Sequence, residues 1–244
     1  MVTSRPLELV ADYGPGDPAF AELVRRLELA LGDVTVHPTR VAGGDTLAAG
    51  LCVAQLALAP GAAGRIVVHD VAPPGAEERR VCAGRTASGV LVVGCDAGWC
   101  WSFVADALRS ICALELVERA TPRDRADTVA KVVVRAVDRH PHAVREPIPR
   151  AAMPSPPCWE VTAIDREGNV ETTIAALPAP AGWRVVVRVG DVSAPARVSD
   201  GTVDLDEGEL ALSSGALTVQ GGSAAERFGD PRPGAEVELR PTAA

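Results

Sequence analysis

Apolar and polar positions follow two different periods along this chain. Leu7 to Ala11 (LELVA) is a short apolar run that breaks at Asp12-Tyr13-Gly14-Pro15-Gly16, which reads as a strand and then a loop. Asp17-Pro18 supplies an N-cap and a proline at the first helical position. A helix is therefore predicted to about Leu31, with Phe20, Leu23, Val24, Leu27 and Leu31 on one face. Asp33 to Val36 resumes as strand, and Asp45 to Leu58 repeats the pattern of a capping Asp before an Ala/Leu helix. Arg65 to Val68 (RIVV) and Val90 to Val93 (VLVV) have the continuous apolar character of buried strands, and a further helix is predicted from Asp124 to Val137. Alternating strands and helices predict an α/β N-terminal domain with a mainly parallel sheet.

The period then changes. Six prolines between Pro141 and Pro157 mark an extended connection, so the expected domains are 1–150 and 151–244. Beyond it, alternating segments run over Glu160–Asp165, Val170–Ile174, Trp183–Val189, Glu209–Leu212, Leu217–Val219 and Glu236–Leu239. Short strands between Gly, Pro and Asp turns predict a small antiparallel β-barrel domain, or a sandwich. There is no internal repeat.

Composition narrows the chemistry. The 244 residues are 47% hydrophobic but only 3% aromatic, so the core must be mainly Ala, Val and Leu. The net charge of −8 repels polyanions, which argues against nucleic acid or an anionic membrane as partner and leaves a cationic small molecule unpenalised. No apolar run approaches the roughly 18 residues of a membrane span, and MVTSRPLELV has no signal-peptide core. A cytoplasmic protein is expected. The six cysteines (Cys52, Cys82, Cys95, Cys100, Cys112, Cys158) contain no CxxC, and His140 and His142 fall in a proline-flanked turn. Buried free thiols are expected rather than a zinc site, and no metal.

Ligand crevices of open sheets lie beyond the carboxyl ends of strands. Asp12 follows the first predicted strand and Asp70 the third; taken singly, each is better explained as a turn residue. GPG at 14–16 lacks the third glycine of a dinucleotide fingerprint, and no GxSxG, Walker or HExxH pattern occurs.

Five segments in order resemble the family of S-adenosylmethionine (SAM) hydrolases, also called SAM hydroxide adenosyltransferases, and SAM-dependent chlorinases and fluorinases. ADYGPGDPAF at 11–20 looks like that family's TDFG-x-x-D-P opening. VVHDVAPPGAEERR at 67–80 is similar to V-D-P-G-V-G-x-x-R-R with two extra residues, and VVGCDAGW at 92–99 to V-G-P-D-N-G-L. VTAIDREGNVETTI at 161–174 resembles I-D-x-F-G-N-x-x-T-N-I, and LALSSGALTVQGGSAAERFG at 210–229 resembles L-x-S-S-G-x-L-x-x-x-x-x-G-S-A-A-x-x-L-G.

The resemblance implies nucleophilic substitution at C5′ of SAM, most simply hydrolysis to adenosine and methionine, with SAM as substrate and no further cofactor. It also implies a homotrimer with sites between chains. On this resemblance Asp12 holds the ribose hydroxyls, Asp165 the methionine ammonium and Asn169 the adenine edge. Ser223 and Ala224 complete the adenine site, and Ser214 and Tyr13 are further substrate-binding candidates. Asp70 orients or deprotonates the attacking water, and Arg79 or Arg80, the register being open, holds that carboxylate. The chain departs from the family in several places. Its T-F-H-G-R-D becomes TPRDRAD at 121–127, with Arg123 or Asp124 where the histidine stands. The aromatic of F-G-N is Glu167, the Asn of D-N-G is Ala97 and that of T-N-I is Thr173, which leaves Trp99, Trp101 and Tyr13 as candidate aromatic walls. A non-catalytic SAM- or adenosine-binding protein is the alternative from another class, and halide transfer to C5′ is the third.

Overall fold

The fold was obtained as a computed structural model that describes residues 5–71, 78–118, 122–137 and 146–242, the side chains of 78–79, 115–118 and 122–127 excepted. The chain forms two compact units, the first through Ser155 and the second from Pro156.

The first unit begins β1 (Arg5–Ala11), α1 (Pro18–Leu31), β2 (Val34–Arg40), α2 (Thr46–Leu58) and β3 (Ile66–Asp70). It continues with β4 (Glu78–Thr86), β5 (Leu91–Cys95), β6 (Leu108–Glu118), α3 (Pro122–Val137) and β7 (Glu146–Pro147). Its sheet has the order β2-β1-β3-β5-β4-β6-β7. The expectation of a mainly parallel α/β sheet is overturned here. The pairings β2-β1, β1-β3 and β3-β5 are parallel, but β5-β4, β4-β6 and β6-β7 are antiparallel, so the sheet is mixed. With only four helices among the described residues, against two sheets, the chain is largely β. The physical reason lies in β4 and β6. Both break their apolar residues with charged and polar ones (ERRVCAGRT and LRSICALELVE), yet β4 folds straight back on β5, with Val81 opposite Cys95 and Arg85 opposite Leu91. A hairpin connection of this kind can only pair strands antiparallel.

The helices form where local chemistry directs them. Asp17 accepts from the Ala19 N–H at 2.8 Å, Pro18 opens α1, and Gly32 closes it with φ 72°, its N–H donating to the Glu28 carbonyl. Phe20, Leu23 and Leu27 of α1 share one apolar cluster with Val129, Val132 and Val133 of α3 and with Leu7, Leu9, Ile66, Val68 and Val93 of the sheet. The chain order β1-α1-β2 runs one way across the sheet and β2-α2-β3 the other. Right-handed crossovers therefore place α1 and α2 on opposite faces. Nine of the thirteen residues of α2 are buried, which its nearly continuous apolar sequence requires. Among the described residues no helix is long and apolar enough to cross a membrane.

The second unit contains β8 (Trp159–Ile164), β9 (Val170–Thr172), β10 (Arg184–Val189), β11 (Val192–Val198), β12 (Leu210–Ser213), β13 (Ala216–Val219), α4 (Ala224–Arg227) and β14 (Glu236–Pro241). The strands close into a barrel in the order β10-β11-β12-β13-β9-β8-β14. It departs from the expected antiparallel pattern at one place, because β11 and β12 pair parallel. Along β10, Val185, Val187 and Val189 point into the core, while Arg188 points outward and pairs with Glu238.

Gly50 shows how closely α2 approaches the segment after β5. A Cβ at that position would lie 2.2 Å from the Trp99 carbonyl oxygen. Helix propensity favours Ala over Gly by about 1 kcal/mol, whereas forced overpacking against a backbone atom costs roughly 1–3 kcal/mol. The steric effect is the larger. Gly50→Ala is expected to lower the midpoint of urea unfolding; a raised midpoint would mean that the Trp99 segment yields freely.

Candidate functional site

The order β2-β1-β3 makes the gap between β1 and β3 the point at which chain direction switches, the ordinary place for a ligand crevice. Parallel pairing sets Ala11 beside Asp70. Asp12 and Tyr13 follow directly, and Cys95-Asp96 ends the neighbouring β5. The structure therefore gathers Asp12, Tyr13 and Asp70 at one end of the sheet.

Each carboxylate has a distinct set of partners. Asp12 Oδ2 accepts from the Gly44 N–H at 3.0 Å, just before α2, and Asp45 caps α2 by accepting from the Ala48 N–H at 3.0 Å. Asp70 is 1% exposed. The Tyr13 hydroxyl donates to its Oδ2, and the Cys95 thiol lies 3.9 Å from its Oδ1. Asp96 is bound by Arg80 at 2.5 Å, and its own N–H donates to the Arg80 carbonyl at 2.7 Å. Arg80 thus serves Asp96. Arg79 is placed on β4, and its side chain lies outside the described residues, as do those of Arg123 and Asp124 and all of His140 and His142.

The charge of this end is legible in Cys100. Burial, together with Asp12, Asp45, Asp70 and Asp96 in that order, pushes its thiol up to about 12. Asp12 and Asp70 thus stand at the ends of adjacent strands, while the charge of Asp96 is offset by Arg80. The part played by Asp45 and Asp96 was not singled out from sequence. The available signal was that Asp96, like Asp12 and Asp70, stands where a buried apolar strand stops. Trp101 is buried, its indole N–H donating to the Cys95 carbonyl at 3.1 Å, so it braces the segment from behind; Trp99 is 38% exposed.

In the second unit the expected residues fall in two places. Asp165 Oδ1 accepts from the N–H groups of Glu167 and Asn169, both at 2.9 Å, and its Oδ2 accepts from the Asn169 side-chain amide at 2.8 Å. That amide, followed by the backbone N–H groups, holds the Asp165 carboxyl below the usual range. Gly168, with φ 78°, brings this turn against Ser223: a Cβ there would lie 2.3 Å from the Ser223 Oγ, and the Gly168 carbonyl accepts from the Ala225 N–H at 2.9 Å. Ser223 also caps α4 through the Glu226 N–H, and Ala224 is buried. Asp165, Asn169, Ser223 and Ala224 therefore form one local structure. Ser214 stands apart from it, in the β12–β13 turn, donating to the Ala175 carbonyl at 2.9 Å. The six cysteines are all free: Cys52, Cys82, Cys95 and Cys100 are buried, Cys112 is half-buried and Cys158 is exposed.

No family model and no curated protein matches this chain. Solved structures do share its fold. One is an uncharacterized conserved protein from Thermotoga maritima, 18% identical, with a TM-score of 0.54 over 96% of this chain and 99% of that one. Another is a conserved hypothetical protein from Thermus thermophilus, 24% identical, with a TM-score of 0.53 over the same shares. At these identities the likeness establishes the fold alone.

His69 adjoins Asp70 but points to the other face of the sheet. It is wholly buried, neither ring nitrogen has a hydrogen-bond partner among the described residues, and its ring meets Trp101 edge-on at 5.3 Å. Burial lowers it to about 3. A histidine depressed in the folded state contributes stability that is complete above its unfolded value, near 6.5, and lost as pH falls through the folded one. The protein should therefore lose on the order of 1 kcal/mol per pH unit from this residue within that window. His69→Leu should flatten the dependence, read as urea midpoints from pH 7 down to about pH 4.5. Equal slopes in both proteins would assign the acid sensitivity elsewhere.

Proposed function

We propose that this protein catalyses nucleophilic substitution at C5′ of SAM, with water as nucleophile and adenosine and methionine as products. The observation that carries the reading is the buried Asp70 carboxylate at the β1/β3 switch point, beside the strand end that bears Asp12 and Tyr13. SAM carries a sulfonium and an ammonium, and the strand-end carboxylates of Asp12 and Asp70 favour such a cation electrostatically. The sulfonium is already a good leaving group, so catalysis needs a nucleophile aligned opposite sulfur in a site stripped of bulk water. A water oxygen then bonds to C5′ as the C5′–S bond breaks. The bond pair leaves with methionine, and the water proton passes to a base. In this proposal Asp70 orients that water and receives the proton, and Asp12 accepts from the vicinal hydroxyls of the ribose. Asp165, Asn169, Ser223 and Ala224 are the further substrate-binding residues in this proposal, and the working form is a homotrimer.

A second reading, binding of SAM or adenosine without turnover, is favoured by one observation. Asp165 and Asn169 spend three hydrogen bonds on each other and on their own turn, as a purely structural turn would. A carboxylate offers about four acceptor positions, so one remains for a ligand ammonium.

Incubation of the purified protein with SAM, with and without chloride, followed by chromatography, decides between these. Adenosine and methionine in equal amounts are expected. A 5′-chlorinated product would mean halide transfer, and tight binding without product would mean the non-catalytic reading. Asp70→Asn keeps the volume and removes the base. Its turnover should fall roughly 10²–10⁴-fold with little change in SAM affinity, and unchanged turnover would reduce Asp70 to a strand-end residue. Sedimentation at working concentration tests the assembly: a fully active monomer would remove the trimer from the proposal.

A further inference from the structure

Tyr13 is the only tyrosine of the chain. It stands on the turn after β1, half-buried, with its ring edge-on to the Phe20 ring of α1 at a centroid separation of 6.4 Å and 76° between planes. Phe20 is itself buried in the cluster beneath the sheet, so the phenol ring is braced from below. From that position the hydroxyl reaches 57 residues along the chain to donate to Asp70 Oδ2. A phenol donating to a carboxylate makes a short, directional, charge-assisted bond. It ties one oxygen of Asp70 to the β1 turn and fixes the plane in which the other oxygen lies, on the side of the Cys95 thiol.

We infer that Tyr13 is a positioning residue for Asp70, and that its hydroxyl rather than its aromatic face is the part that matters. This rests on the reading of Asp70 as the group that orients the attacking water. A group that must hold water in line with the C5′–S bond loses rate steeply when it can rotate. Asp70 is the partner that gives the hydroxyl its use here: a wall for a purine to stack against would be as well made by phenylalanine.

Two substitutions separate these roles. Tyr13→Phe keeps the ring against Phe20 and removes only the donor, whereas Tyr13→Leu removes both. With SAM as substrate, Tyr13→Phe should lower kcat roughly ten- to a hundredfold while KM stays within about twofold, since a bond to an ionised group is worth about that factor. Unchanged kcat in Tyr13→Phe with impaired Tyr13→Leu would assign Tyr13 to stacking and overturn the inference. So would a rise in KM alone. A spectroscopic measurement decides the pairing independently of any reaction. Protein labelled with 13C at the tyrosine Cζ gives one signal, from Tyr13. That signal should move on Asp70→Asn and stay in place on Asp191→Asn, a surface change in the second unit. A signal indifferent to Asp70→Asn would sink the inference whatever the protein catalyses. If the wild type consumes no SAM while the signal responds to Asp70→Asn, the hydrolytic reading fails and the Tyr13–Asp70 pair stands.

Discussion

The parallel register that sets Ala11 beside Asp70 governs the first unit. A shift of β3 by one residue would exchange His69 and Asp70 between the two faces. An unpartnered imidazole would then stand near Tyr13, and a carboxylate would be driven against Trp101. Both outcomes are costly, because a buried charge without donors loses several kcal/mol. The register is therefore held by chemistry on both sides of the sheet at once. The strand order in turn puts the carboxyl end of β3 at the switch point rather than at an edge.

Holding four carboxylates near one another in a chain of net charge −8 works against folding. The structure answers them in three ways. Asp12 and Asp45 use backbone N–H groups at the start of α2, where the helix end is partly positive, and Asp70 has the Tyr13 phenol. Asp96 has the Arg80 guanidinium, part-exposed and so worth little as an isolated ion pair. Its value lies in geometry: with the Asp96 N–H bound to the Arg80 carbonyl, it fastens the end of β5 to β4. The two sides of the sheet thus cooperate, the antiparallel strands anchoring what the parallel strands display.

The second unit solves a different problem. Closure of seven strands removes sheet edges, and the 165–169 turn is held by bonds internal to itself and by its contact with Ser223. A turn so tied arrives at any ligand with its amide and carboxylate already oriented, which lowers the entropy lost on binding.

Local chemistry determined much of the secondary structure from sequence alone. Asp17-Pro18 and Asp45 started α1 and α2, Gly32 ended α1, and the apolar runs at 65–68 and 90–93 lie in the fully buried strands Ile66–Asp70 and Leu91–Cys95, shifted by a residue or two. Asp12 and Asp70 were legible as strand-end carboxylates for the same reason: a buried apolar run that stops at Asp has reached the rim of a sheet. The sheet itself was not legible. β4 and β6 interrupt their apolar residues with Arg, Ser, Glu and Gly, so their strand character comes from pairing with β5 and with each other, not from their own period. Missing them turned a mixed sheet into an expected parallel one. The pairing of Tyr13 with Asp70 and of Arg80 with Asp96 was decided by tertiary structure alone. Each joins residues from different strands or helices, and no local pattern encodes a distance that exists only after the chain has crossed the sheet and returned.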